Sequence, residues 1–147
     1  MRIVIVAVGK VKERGIREGI DEYVGRIRRY AKCDEVEFAD ASERELIPRF
    51  EKAMPLRSRV IAMEVEGARY TSERFANVIG QCEIGAVPSV VFLIGGAYGL
   101  PKEISAKADI KLSLSDMILP HRLARLFLAE QIYRAFTILR GEPYSHA

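Results

Sequence analysis

Leu93-Ile-Gly-Gly-Ala-Tyr-Gly-Leu100 and, shortly after, Leu112-Ser-Leu-Ser-Asp-Met-Ile-Leu-Pro-His-Arg-Leu-Ala-Arg125 decide the fold of this chain. In each, an apolar run of strand length ends in a turn: a glycine turn in the first, a Pro-His turn in the second. Two such turns side by side make a pocket whose walls are mostly backbone. The apolar run Val87–Ile94 that feeds the first turn is the most apolar of the chain, so it predicts a central strand.

Outward from these turns, strands and helices alternate. Arg2–Val8 is a β-branched run of the kind buried on both faces of a parallel sheet. Between Gly15 and Tyr30, Ile16, Ile20, Tyr23, Val24 and Ile27 recur at helical spacing. Cys33–Ala39 predicts a short strand that alternates apolar and acidic residues. Ser42 with Glu45 forms a capping-box pattern for a second helix, while Pro48 predicts a later start or a kink. Arg59–Val65 is a third strand ended by Glu66-Gly67, and a helix led by Ser72 follows. Pro101–Lys107 is a short helix and Ile110–Leu114 a fifth strand. Pro120 suits the first position of a last helix that Gly141 stops. This alternation predicts an α/β fold with a mainly parallel sheet flanked by helices, in a single domain over residues 1–147.

The last helix carries Leu123, Leu126, Phe127, Leu128, Ile132, Tyr133, Phe136, Ile138 and Leu139 around nearly its whole circumference. A helix apolar all round is buried all round. The sheet can cover one side, and a second subunit would most easily cover the other, which predicts a homodimer.

At 147 residues, with 49% hydrophobic and 29% charged residues, the chain can build a sizeable core and does not resemble a disordered or membrane protein. No apolar run approaches the roughly 20 residues of a membrane span. The N-terminal run is too short for a signal peptide, so a cytoplasmic protein with no membrane partner is expected. Two distant cysteines, Cys33 and Cys82, show no metal-ligand spacing, and no metal is expected. The net charge of +3 permits an RNA partner without requiring one.

Gly95, Gly96 and Gly99 form neither a dinucleotide fingerprint nor a phosphate-binding loop. They serve equally as a tight strand-to-helix turn or as a close approach for a ligand beyond a strand end. Asp116 to Pro120 is apolar where a solvated loop is polar, so it packs on core or forms one wall around a flat aromatic group such as adenine. His121 opens the last helix, where the positive helix end disfavours a charged imidazole; a neutral ring there can accept a proton, or can be merely a polar helix start. Arg122, Arg125, Arg134 and Arg140 offer bidentate phosphate contacts, or pair with carboxylates such as Glu130 and Glu142. Pro143-Tyr144 after Gly141 suggests a tail that turns back onto something.

Leu-Ile-Gly-Gly at 93–96 with Gly99-Leu100, Leu-Ser-Leu-Ser at 112–115, Leu-Pro-His at 119–121, Arg125, Glu130-Gln-Ile-Tyr-Arg-Ala135, Pro143-Tyr144 and the opening Ile-Val-Ala-Val-Gly-Lys closely resemble the RlmH (YbeA) family of SPOUT methyltransferases. The resemblance covers nearly the whole chain. It implies a SPOUT fold with a C-terminal trefoil knot, a homodimer, and S-adenosylmethionine as the donor for N3 methylation of a pseudouridine in large-subunit ribosomal RNA within the ribosome. Matched by position, it places the cofactor on Met63, on Gly95 and Gly96, and on Ser115, Asp116, Met117, Ile118, Leu119 and Pro120. It turns His121, Arg125, Arg134, Tyr144 and His146 toward the RNA or the target base, with the tail reaching the partner's pocket. His121 is the first candidate base and His146 the second. One departure bears on the tail: the family ends in adjacent Tyr-His, whereas Ser145 here separates Tyr144 from His146. The rival expectations are a SPOUT methyltransferase acting on tRNA and a non-catalytic ribosome-binding protein.

Overall fold

The computed structural model describes residues 1–146; Ala147 and the side chains of Ser145 and His146 lie outside the described residues. β1 (Arg2–Val8) runs parallel to β2 (Lys32–Phe38) on one side and to β4 (Ser89–Ile94) on the other. β3 (Ser58–Arg69) pairs with the free edge of β4, and β5 (Ile110–Ser113) pairs with β3, giving an all-parallel sheet in the order β2-β1-β4-β3-β5. β4 is the middle strand, as its apolar sequence predicts, and every one of its residues is buried.

The alternation of side chains along β1 divides the core in two. Ile3, Ile5 and Ala7 face one layer, with residues of α1 (Arg14–Ile27), α3 (Ser72–Ile84) and α5 (His121–Leu139). Val4, Val6 and Val8 face the other, with Leu46 and Phe50 of α2 (Glu43–Ala53) and Ile104 of α4 (Lys102–Ser105). A strand sandwiched in this way has no solvent face, which explains its unbroken apolar run.

α5 is covered differently from the sequence-based expectation. It lies between α1 and α3 as well as on the sheet, so its second side does not wait for another subunit. Small residues allow this approach: a methyl group on Gly19 of α1 would lie 3.0 Å from Leu126, and one on Gly80 of α3 would lie 2.8 Å from Leu139. The large apolar side chains still outside are Leu123 and Phe127, each 39% exposed.

Other boundaries also move for physical reasons. α2 starts at its capping box, where the Ser42 hydroxyl accepts from the Glu45 N–H at 3.3 Å, and it runs through Pro48. Pro48 is exposed, so the carbonyl it leaves without a helical partner belongs to the solvent side. α3 is capped by Thr71, which accepts from the Arg74 N–H at 3.1 Å; Ser72 instead donates to Gln131 Oε1 at 2.7 Å. Pro120 sits at the cap position of α5, one residue before the helix. β3 does not end at Gly67. Its pairing with β5 shifts register between Met63 and Ala68 and then continues to Arg69. A methyl group on Gly67 would stand 2.7 Å from the Lys111 backbone, so only glycine lets the strand return that closely.

One charged cluster sits inside this frame. The Arg125 side chain on α5 is 1% exposed, with Nη2 at 2.8 Å from Glu35 and 2.5 Å from Glu37 on β2. Arg17 of α1 reaches the same two carboxylates, at 2.6 and 3.3 Å. Removing one cation from such a cluster leaves half-buried carboxylates facing each other. Arg125→Ala should therefore lower stability by about 3 kcal/mol, or roughly 10 °C in Tm for a chain of this size. Thermal unfolding followed by circular dichroism measures it; a shift below about 1 °C would show that the cluster contributes nothing.

Candidate cofactor cavity

The carboxyl ends of β3, β4 and β5 open into one cavity of about 360 Å³. Parallel strands bring their turns to the same sheet edge, where ligands of open α/β sheets bind. The volume lies in the range of small-molecule and cofactor sites.

The first wall is the glycine turn after β4. The Gly99 N–H donates to the Gly96 carbonyl at 3.0 Å, and Gly99 has φ +79°. A methyl group on Gly95 would fall 2.2 Å from the Gly99 carbonyl carbon, so the turn closes only because position 95 has no side chain. The second wall is the loop after β5. There the Ser113 hydroxyl donates to the Ser115 carbonyl at 2.9 Å, and the Ser115 hydroxyl accepts from the Met117 N–H at 2.9 Å. These two bonds bend the loop and leave Met117 and Ile118 largely exposed at the cavity rim.

Met63, Gly95, Gly96, Ser115, Met117, Ile118, Leu119 and Pro120 all line the cavity, as expected. Asp116 does not: its carboxylate turns outward and pairs with Arg69. Asp116 follows Ser115 in a tight bend, and the strand continuation through Arg69 supplies a cation on the outer side. Sequence inspection missed Glu64, Val65, Ile94 and Ala124, which also line the cavity. Glu64 and Val65 follow Met63 directly, and the expectation of a plain strand through Val65 concealed the bulge that brings them to the wall.

The electrostatic character is distinctive. Among the described residues Glu64 is the one carboxylate on the lining, and no lysine or arginine lines the cavity. Such a site gives a phosphate-bearing nucleotide no cation, whereas it tolerates a positively charged ligand. Its apolar loop and exposed backbone groups suit a flat ring with polar edges.

His121 lines the same cavity, and its Nδ1 is buried without a hydrogen-bond partner. A buried polar atom left in this way is costly unless a ligand completes it. Gly9, just after β1 with φ +90°, neighbours the ring: a methyl group there would stand 3.7 Å from His121 Cε1.

The remaining site residues separate from this group. Arg125, one turn beyond His121, points inward and donates to Gly9 O at 3.2 Å besides its two carboxylates. Arg134 lies between three and four turns along α5, about 20 Å from His121 along the axis, and Tyr144, beyond the helix end, folds back beside it. Arg134 pairs with Glu130 at 2.8 Å and lies over the Tyr144 ring at 4.9 Å. The Tyr144 hydroxyl donates to Glu130 at 2.6 Å, and its ring packs on Tyr133. Burial, with the hydrogen bond to Glu130, raises this phenol well above its ordinary range, so it stays a donor. Within one chain Tyr144 thus folds back on α5 and does not line the cavity. The side chain of His146 lies outside the described residues.

Cysteine chemistry has no support. Burial pushes the Cys33 thiol up to about 12, and burial also raises Cys82. Among the described residues no cluster of histidine, cysteine, aspartate or glutamate could hold a metal ion, and no helix is long and apolar enough to cross a membrane.

Comparison with known proteins agrees with this geometry. The chain is 51% identical over 99% of its length, and over the whole of the relative, to the ribosomal RNA large subunit methyltransferase H of Sorangium cellulosum. It is 43% identical to the protein of the same name from Geobacter metallireducens, with both chains fully covered. Its fold is similar to that of a probable methylase family protein from Haemophilus influenzae, with a TM-score of 0.60 at 13% identity over 97% of this chain and 69% of that one. Residues 1–146 match the family model described as predicted SPOUT methyltransferase, and the chain accordingly belongs to the SPOUT methyltransferase family.

Proposed function

We propose that this protein is an S-adenosylmethionine-dependent methyltransferase that modifies N3 of a pseudouridine in large-subunit ribosomal RNA, with the assembled ribosome as substrate. The observation that carries the cofactor assignment is the cavity itself: walled by a glycine turn and an apolar loop and, among the described residues, bearing one carboxylate and free of lysine and arginine. That chemistry accepts a cationic adenosyl compound and disfavours ATP or a dinucleotide. The names borne by full-length relatives support the RNA substrate.

The residues divide the work as follows. Gly95 and Gly96 would let the backbone approach the ligand, and Met117, Ile118 and Leu119 would supply an apolar surface that helps keep water from it. Glu64 sets a negative charge on the wall opposite a cationic centre. When bound, S-adenosylmethionine supplies a methyl group already activated by the sulfonium. The protein therefore chiefly aligns the target nitrogen, and alignment alone can remove much of the barrier. We assign removal of the N3 proton to His121, whose ring lines the cavity and whose Nδ1 has no hydrogen-bond partner among the described residues.

Two chains would complete the site. Leu123 and Phe127 on α5 and Met117 and Ile118 on the cavity rim are exposed large apolar side chains, which supports a homodimer. Arg134 and Tyr144, remote from the cavity of their own chain, would then act at the partner's. The absence of membrane-spanning helices among the described residues and a ribosomal substrate both fit a cytoplasmic location.

The direct test is transfer of labelled methyl from S-adenosylmethionine to ribosomes isolated from a strain lacking this gene. Label in large-subunit RNA supports the proposal; label only in tRNA, or none, overturns it. Titration calorimetry should show binding of S-adenosylmethionine but not of ATP, and Gly95→Ala should abolish that binding because the turn cannot close. His121→Ala should keep cofactor affinity within about threefold and lower turnover by about 100-fold. Near-normal turnover in that variant removes His121 as the base. In sedimentation at micromolar concentration the native chain should run as a dimer and Phe127→Glu as a monomer; a monomeric native chain contradicts the shared site.

A further inference from the structure

The arginines of α5 are the obvious sequence candidates for phosphate contact, and the structure pairs all four. Arg122 lies 3.0 Å from Glu13, Arg125 sits between Glu35 and Glu37, Arg134 holds Glu130, and Arg140 lies 2.8 Å from Glu83. A guanidinium that faces a carboxylate exerts little net attraction on a polyanion. Free positive charge beside the cavity lies instead in the loop between β1 and α1.

That loop begins at Gly9, against the His121 ring. Gly9 is held from both sides: its N–H donates to Phe38 O at 2.7 Å, and its carbonyl accepts from Arg125 Nη1 at 3.2 Å. Lys10, Val11 and Lys12 follow. Val11 is 7% exposed and belongs to the core layer of α1 and α5, while both lysines are exposed. Turning the lysines inward would bring the valine out, so its burial fixes which way they face. Among the described residues neither ammonium has a carboxylate partner. Two unpaired cations thus stand on a pinned loop whose first residue lies beside the candidate base.

We propose that Lys10 and Lys12 form a phosphate-contacting ridge that seats the RNA strand carrying the target nucleotide at the mouth of the cavity. This rests on the ribosomal RNA methyltransferase function proposed above. An ammonium is a point charge without base preference, so the ridge sets position and affinity, while the cavity and its rim select the base. It also gives Arg125 a role at one remove: by holding Gly9 between β2 and α5, it is a positioning residue for the ridge and for His121 together.

The test measures KM and kcat for the same ribosomes over about 50 to 200 mM salt. For K10A/K12A, KM at about 100 mM salt should rise roughly tenfold, with kcat within about twofold of the native protein. The slope of log(kcat/KM) against log salt should become shallower by about 1 per lysine removed. K10R/K12R should keep the native slope, and calorimetry should give unchanged S-adenosylmethionine affinity for both variants. Since both side chains are exposed, little effect on folding is expected; if the double variant unfolds, each single alanine variant should show about half the slope change. Native KM and slope in the alanine variants, with active native enzyme, overturn the ridge and leave the function standing. A native protein that transfers no methyl to ribosomes instead overturns the function on which the ridge rests.

Discussion

The buried ion cluster around Arg125 ties together the parts on which the site depends. One guanidinium reaches two carboxylates of the edge strand β2 and the carbonyl of Gly9 at the end of β1. Arg17 brings α1 into the same cluster. Charge attraction in a half-dry environment thus fixes the start of α5 against the sheet, and His121 stands one turn before Arg125. The Nε of Arg125 has no partner, so the cluster is held through the outer nitrogens alone. Such an arrangement is costly to desolvate and highly directional. It specifies where β1 ends relative to α5, which apolar packing alone would fix less sharply.

Much of the fold was legible in the sequence because parallel interior strands have no solvent face. Ile3 through Val8 and Ser89 through Ile94 announce themselves by unbroken burial, and the glycines and Pro-His turn mark where they stop. The cavity lining was named by the family resemblance, because the apolar loop Met117–Leu119 by itself suited core packing as well as a ligand wall. The bulge of β3 was not legible, because Gly67 looks like a terminator until β5 is seen to pass within a methyl group's width. The pairing of Arg125 was hidden by distance, its partner Glu35 standing 90 residues earlier. A helix pattern reports which residues share a face, but not which carboxylates await them across the core. Likewise the apolar circumference of α5 did not reveal that Gly19 and Gly80 admit it between two neighbouring helices.

The distribution of charge then acquires a consistent meaning. Among the described residues the cavity has no lysine or arginine on its lining, which suits a ligand that is itself cationic. The arginines nearest to it along α5 are neutralised by carboxylates and serve the architecture. Tyr144, locked to Glu130 and raised in pKa by its burial, closes onto its own helix, and under the two-chain reading proposed above it would act at the partner's cavity. A small chain of this kind needs little of its own affinity if a large assembly presents the target.

The central claim is that these turns hold a methyl donor for one position of ribosomal RNA. The most direct measurement is mass spectrometry of nuclease fragments of large-subunit RNA from the source organism, with the gene deleted and then restored. The account predicts that a single methyl group on one pseudouridine disappears on deletion and returns on restoration. An unchanged methylation pattern in the deletion strain would contradict it.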